Sequence, residues 1–352
     1  MDDAAAPHRL DIVRLRNWLH AFVPDAAGAI ELEKFAGGQS NPTYAIRVDG
    51  AVRFVLRKKP PGTLLPSAHA VEREFRITHV LAGTSVPVAR PLALCEDASV
   101  IGTPFFVMEH VAGRNFWDPA LPGLTRGERG GIYREMIRVL AALHMLDPAA
   151  LGLSDFGRQG DYIARQVSRW SRQHRACETQ HIAEMEHLVA WLQANNPGRM
   201  HSCIVHGDYR NDNIIFASDA PSIEAVIDWE LATLGDPLAD LAQHVLAWRL
   251  PHEDYRGLAD VDRASLGIPD EAAYIQQYWH AMDMREPPPA VWSFALAFAA
   301  FRNAAIRQGV FRRALDGNAS SDVAAVHGVR ARQIATLGWR IASGEHDAVL
   351  AP

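Results

Sequence analysis

At 352 residues the chain is longer than one hydrophobic core usually serves, so two domains or lobes are expected. Apolar residues make up 48% and charged residues 22%, the balance of a globular protein, and a net charge of −6 argues against charge-driven binding to nucleic acid. Cys95, Cys177 and Cys203 are far apart and odd in number, so neither a disulfide framework nor a zinc site is suggested and a reducing, cytoplasmic setting is expected.

The first 25 residues interleave Asp2, Asp3, Arg9, Asp11, Arg14, Arg16 and Asp25 with apolar positions, so no secretory signal is read there. Ile12, Leu15, Trp18, Leu19 and Phe22 recur at three- and four-residue spacing and predict a leading helix over 8–22. From Ile30 the texture becomes β-like. Strands are predicted at Glu31–Phe35, Tyr44–Val48, Phe54–Arg57, Leu92–Cys95 and Phe105–Met108, divided by turn formers such as Gly37-Gly38, Asp49-Gly50 and Gly102. One helix, Ala68 to Leu81, interrupts them.

Beyond Gly113 the pattern is mostly helical, with segments Gly130–Leu143, Tyr162–Arg175 and Ile182–Ala194. Short strands are predicted at Cys203–His206, Ile214–Phe216 and Ala225–Ile227, and helices resume from Pro237. The most apolar run, Phe294 to Phe301, is shorter than the roughly 20 residues a bilayer span needs, so no membrane association is expected. The plan is α+β: a small β-rich N-terminal lobe over 1–110, then a large, mainly helical lobe over 111–352.

The strongest chemical signal is Val205-His206-Gly207-Asp208-Tyr209-Arg210-Asn211-Asp212-Asn213, followed by Val226-Ile227-Asp228-Trp229-Glu230. Phosphoryl transfer asks a protein for positioning, charge neutralisation and an oriented nucleophile. Asp208, on a loop after a short strand, is suited to take a proton from an attacking hydroxyl. Asn213 and Asp228 offer neutral and charged oxygen ligands to Mg²⁺, a hard cation. The competing reading makes His206-Gly207-Asp208 a polar turn and Asp228 a strand-end cap. The placement of Asp228 after a β-rich lobe favours the chemical reading. Asp155-Phe156-Gly157 spells a kinase metal motif but precedes Asp208, against the chain order such a motif requires.

These motifs resemble the aminoglycoside phosphotransferase superfamily, whose protein-kinase-like fold carries His-Gly-Asp in its catalytic loop. Gly37-Gly38-Gln39-Ser40-Asn41, Arg165-Gln166 with Arg169-Trp170, Gly235-Asp236-Pro237-Leu238-Ala239-Asp240-Leu241 and Gln308-Gly309-Val310 resemble the branch of kinase-like domains fused to some acyl-CoA dehydrogenases. The kinase plan accounts for the chain, so no dehydrogenase domain is expected within it.

The resemblance implies a two-lobed enzyme that uses ATP and Mg²⁺ to phosphorylate an alcohol group, and it assigns roles. Gly37, Gly38, Gln39, Ser40, Asn41 and Thr43 would approach phosphate oxygens, although a plain hairpin turn reads as well on local evidence. Arg57 would contact the α- and β-phosphates, with Lys58 as the alternative if the register slips by one. Glu74, in preference to Glu72, would pair with it. The Glu109 carbonyl and Val111 N–H would meet the adenine. Asp240 would brace the catalytic loop through its backbone N–H groups, and His206 would be a buried support.

For the acceptor, the segment from Arg285 to Ser343 carries Arg285, Arg302, Arg307, Arg312, Arg313, Arg330, Arg332 and Arg340 against only Glu286, Asp316 and Asp322. A positive field in an acidic protein favours an anionic hydroxyl substrate of hydroxy-acid or hydroxyacyl-CoA type. The alternatives are an aminoglycoside- or choline-type kinase of the same fold, or a pseudokinase that binds nucleotide without turnover. Oligomeric state and a preference for ATP over GTP are not legible.

Overall fold

The computed structural model describes residues 10–35, 41–60, 70–158, 160–198, 201–318 and 321–351. In chain order it has α1 (Ile12–Phe22), β1 (Ile30–Lys34), β2 (Thr43–Val48), β3 (Ala51–Lys58), α2 (Val71–Leu81), β4 (Pro91–Cys95) and β5 (Phe105–Glu109). Then come α3 (Arg126–His144), α4 (Tyr162–Ala176), α5 (Ala183–Ala194), β6 (Cys203–Val205), β7 (Ile214–Phe216), β8 (Ile223–Val226) and β9 (Thr233–Gly235). The remainder is helical: α6 (Pro237–Val245), α7 (His252–Tyr255), α8 (Arg263–Leu266), α9 (Glu271–Ala281), α10 (Pro289–Arg313) and α11 (Ser321–Ala342).

The chain forms two compact units. The first holds residues 1–115 and 213–232, the second 116–212 and 233–352. A linear reading put 213–232 with the helical lobe. Backbone bonding decides otherwise. Arg114 N and Phe216 O are 2.7 Å apart, Phe216 N and Arg114 O 2.8 Å, and Val226 N and Pro87 O 2.9 Å, so the β7–β8 hairpin belongs to the first unit. Gly113 is required at that junction, because a Cβ there would lie 2.3 Å from the Phe216 carbonyl oxygen.

The first unit is built on an antiparallel sheet in the order β1-β2-β3-β5-β4. Side chains alternate along β3. Phe54 and Leu56 join Leu15 and Leu19 of α1, Tyr44, Ile46, Phe105 and Val107 in one apolar core. Arg57 points to the other face, toward α2, where Phe75 meets Phe106 edge-on at 6.0 Å. The pleat therefore turns Lys58 away from α2.

In the second unit α3 begins at Arg126, four residues before the glycine pair where periodicity started it. Thr125 and Glu128 form a reciprocal capping box, the Thr125 N–H donating to Glu128 Oε2 at 2.8 Å. β6 pairs with β9, a strand the pattern did not announce, in the register Cys203 to Gly235. α10 runs for 25 residues and packs on α4, α5, α6 and α11. By length and composition it could cross a bilayer, yet 67% of its apolar window is buried inside the protein, as in a core helix. The Asp155-Phe156-Gly157 triplet lies before α4, with Phe156 buried and Gly157 close against Leu234.

Candidate functional site

Arg57 is the centre of the first unit's polar cluster. Its Nε donates to Glu74 Oε2 at 2.7 Å, and its Nη2 contacts Asp228 Oδ1 and approaches Glu230 Oε2 at 3.5 Å. Burial opposes the Arg57 charge, but the three carboxylates outweigh it and hold the guanidinium above its ordinary range. Burial also pushes the Glu74 carboxyl up to about 7, with Arg57 pulling the other way. Glu72 instead meets Lys59 at 2.9 Å near the surface. Glu230, which the sequence reading left without a role, also receives a bond from the Asn41 amide at 3.5 Å. The Thr43 hydroxyl donates to the Asn41 carbonyl at 3.0 Å. Gly37, Gly38, Gln39 and Ser40 lie outside the described residues.

Asp228 follows β8 in the left-handed conformation, φ 65° and ψ 59°, which an aspartate tolerates better than most side chains. Its side chain is 36% exposed even with Arg57 against it. Across the hairpin, the Asn213 carbonyl accepts from Ile227 N at 2.9 Å, so Asn213 and the residue before Asp228 flank the same hairpin end. One carboxylate and one amide are the oxygen donors Mg²⁺ takes when phosphates and water complete its shell. Among the described residues no group of three or more His, Cys, Asp or Glu forms an all-protein cage. Glu109 ends β5, its N–H bonded to Arg90 O at 2.9 Å and its side chain in an exposed pair with Arg90; Val111 follows two residues later.

In the second unit the loop carrying Asp208 is held from several sides. Asp240, buried on α6, accepts from the amides of His206 at 2.7 Å and Gly207 at 2.8 Å, and from His144 Nε2 at 3.2 Å. Burial alone would raise this carboxyl; the bonds from His144 and His206 outweigh it and hold it below the usual range. His206 is fully buried, and its Nδ1 accepts the Asp208 N–H at 3.2 Å.

Three supports escaped the sequence reading. Arg302 donates to the Gly207 carbonyl at 2.7 Å. His144 Nδ1 meets Tyr278 Oη at 2.6 Å. His244 Nδ1 donates to the Tyr209 carbonyl at 3.0 Å, while its Nε2 accepts from Tyr274 Oη at 2.9 Å. The neutral ring satisfies both partners, and burial pushes its pKa down to about 4. No spacing rule marks any of the three, because each acts across 30 or more residues of sequence.

The same loop borders a cavity of about 340 Å³ lined by, among others, Trp117, Arg210, Tyr255, Arg256, Arg307 and Arg330. Arg210 Nε lies 3.7 Å from Asp208 Oδ1, so the cavity wall reaches the carboxylate. The eight C-terminal arginines are not one field. Only Arg307 and Arg330 line this cavity, while Arg312 pairs with Asp316, Arg332 bonds Gln180, Arg340 pairs with Glu345, and Arg285 and Arg313 are exposed. Arg210 and Arg256, outside that segment, supply the rest of the positive wall.

An antiparallel sheet with a leading helix, a His-Gly-Asp loop and a downstream aspartate after a hairpin define the protein-kinase-like fold. Residues 31–284 match the model of the phosphotransferase enzyme family, and the chain belongs to that family. It is 49% identical over 322 residues to acyl-CoA dehydrogenase family member 10 of Mus musculus, covering 91% of this chain but only 30% of that relative's length. A Ralstonia eutropha crystal structure, described as a candidate aminoglycoside phosphotransferase, is 44% identical, with a TM-score of 0.86 and coverage of 95% of this chain and 99% of that one. Aminoglycoside phosphotransferase APH(4)-Ia, crystallised with ADP and hygromycin B, shares the fold at a TM-score of 0.59 and 16% identity, over 91% of this chain and 97% of its own.

Proposed function

We propose that this phosphotransferase moves the γ-phosphoryl group of ATP to a hydroxyl of a small anionic molecule. Asp208 takes the hydroxyl proton as the oxygen bonds to the γ-phosphorus; the bond to the β-phosphate bridging oxygen breaks, and ADP leaves with its electron pair. Asp208 lies on the loop whose backbone Asp240, Arg302 and His244 hold, which fixes where its carboxylate sits. Asn213 and Asp228 would hold Mg²⁺, which supplies charge neutralisation for the phosphates when bound. Arg57, set by Glu74 and Glu230, serves the nucleotide phosphates from β3. Glu109 and Val111 offer backbone groups to the base.

One observation carries the acceptor's sign: four arginines, Arg210, Arg256, Arg307 and Arg330, line the cavity bordering the Asp208 loop against three carboxylates, Asp212, Glu253 and Asp254, and Arg307 has none of these as a partner. A hydroxy acid or a hydroxyacyl-CoA has the hydroxyl and the negative charge together, and a relative named for acyl-CoA chemistry agrees with that class. The test is a steady-state panel of glycerate and glycerol 3-phosphate against choline and kanamycin with ATP and Mg²⁺. Preference for the anions is expected; preference for the cations would establish the aminoglycoside- or choline-type reading. ATP turnover unchanged in Asp208→Ala would leave a nucleotide-binding pseudokinase.

A further inference from the structure

The positive wall of the cavity is not uniform. Arg210 and Arg256 share a neutralising partner, since both approach the shielded Asp212 carboxylate, Arg256 at 3.7 Å. Arg330 reaches Asp254 at 3.0 Å, but that carboxylate is 59% exposed and already faces water. Arg307 meets no carboxylate among the described residues. Its Nε donates to Asn303 Oδ1 at 3.1 Å, one helical turn earlier on α10, which fixes the plane of the guanidinium and commits only one of its nitrogens.

The aromatic floor adds a second constraint. Arg307 and Arg330 each lie 5.3 Å from the Tyr255 ring, so one ring seats two cations, and its hydroxyl is tied to Gln333 of α11. Two cations over one ring repel each other unless an anion lies with them. Burial first, then Arg330, with Arg210 and Arg256 behind it and Tyr255 opposing, push the Arg307 pKa down to about 10. His327 Nδ1 and Arg330 Nε, both in the cavity wall, are buried with no hydrogen-bond partner among the described residues. Arg330 Nε is a donor left without an acceptor, and the His327 ring, kept neutral by burial and the neighbouring arginines, can turn an N–H toward the same space of about 340 Å³, so an acceptor-only group there satisfies both.

We propose that Arg307, Arg330 and His327, seated on Tyr255, form a subsite for a single oxyanion group, a carboxylate or phosphate at the far end of the acceptor molecule. This rests on the phosphotransferase reading for its purpose, because the subsite then holds the acceptor while its hydroxyl faces Asp208. The guanidinium of Arg307 is the specificity determinant, and the Asn303 bond aims its two terminal nitrogens. Arg210 reaches the Asp212 and Asp208 carboxylates, which hold it away from the anion.

The test titrates the full chain with sodium phosphate and, separately, sodium succinate at constant ionic strength, following binding by calorimetry without nucleotide. Wild-type protein is expected to bind at least one of them, and which one it binds tells a phosphate end group from a carboxylate. Arg307→Gln is expected to weaken that binding about 10- to 100-fold, with Arg307→Lys intermediate and circular dichroism unchanged in both. With glycerol 3-phosphate or glycerate as acceptor, Arg307→Gln raises KM by a similar factor and changes kcat little. Equal anion binding by wild type and Arg307→Gln, or an unchanged KM, overturns the subsite while leaving the phosphotransferase reading intact. Loss of anion binding in Arg307→Gln, with no phosphoryl transfer from ATP to any hydroxyl acceptor, overturns that reading instead and leaves the anion site standing.

Discussion

Arg57 and Asp208 make opposite demands on their surroundings. Arg57 is nearly enclosed by Glu74, Asp228 and Glu230, so removing it leaves a buried carboxylate unbalanced. Arg57→Met is expected to destabilise the first unit by about 3–5 kcal/mol, and Arg57→Met with Glu74→Leu to recover most of the loss, as urea unfolding will register. No recovery in the double variant would mean that packing rather than charge dominates. Asp208, under the proposed phosphoryl transfer, takes a proton, so its contribution would be to chemistry rather than to stability. Asp208→Asn should lower kcat by about 10²- to 10⁴-fold while nucleotide affinity, measured by fluorescence titration, stays within error. The sequence reading makes Arg57 and Glu74 partners, and they pair in the structure; the proposed roles of Asp208, Asn213 and Asp228 rest on their motif. Glu230, Arg302 and His244 carry no such signal, since their partners are fixed only by folding.

Elements set how firmly those residues are held. α6 sends two side chains to the Asp208 loop, Asp240 to the His206 and Gly207 amides and His244 to the Tyr209 carbonyl, and α10 sends Arg302 to the Gly207 carbonyl. A charged bond to a backbone oxygen contributes about 1.5–3 kcal/mol. Arg302→Met should therefore reduce kcat by at least tenfold with KM for nucleotide nearly unchanged; an unaltered kcat would show that Asp240 and His244 suffice. The Thr125–Glu128 box makes a milder case: Thr125→Ala is expected to cost about 1 kcal/mol, seen as a lower unfolding midpoint, without effect on turnover. Helix and strand types followed from periodicity almost everywhere. β9 did not, because three residues, Thr233–Gly235, carry too little pattern, and its pairing with β6 is a long-range contact. The start of α3 was also misjudged: Gly130 and Gly131 look like a boundary, but the cap at Thr125 lies upstream of them.

For the protein as a whole, pH acts on the two units in opposite senses. His244, with an ordinary value of 6.5 lowered to about 4, binds a proton more readily when unfolded. Its contribution to the second unit is full above pH 6.5 and is lost as pH falls toward 4, amounting to about 3 kcal/mol. Glu74 is raised from 4.5 to about 7, so the first unit loses stability from this group as pH rises through that window. Calorimetry from pH 7.5 to 4.5 should show the wild type losing more of the second unit's stability than His244→Gln does. Equal slopes would remove His244 from the account.

Read alone, the amino-acid order determined a kinase-like plan and the His-Gly-Asp motif, because those depend on residue type and local spacing, whereas the run of C-terminal arginines behind the expected anionic acceptor proved not to be one field. Tertiary structure decided which basic residue of β3 faces α2, to which unit 213–232 belongs, and which arginines share a cavity. Such outcomes are set by pleat direction, hairpin pairing and helix packing, which bring together groups up to a hundred or more residues apart that no local pattern relates.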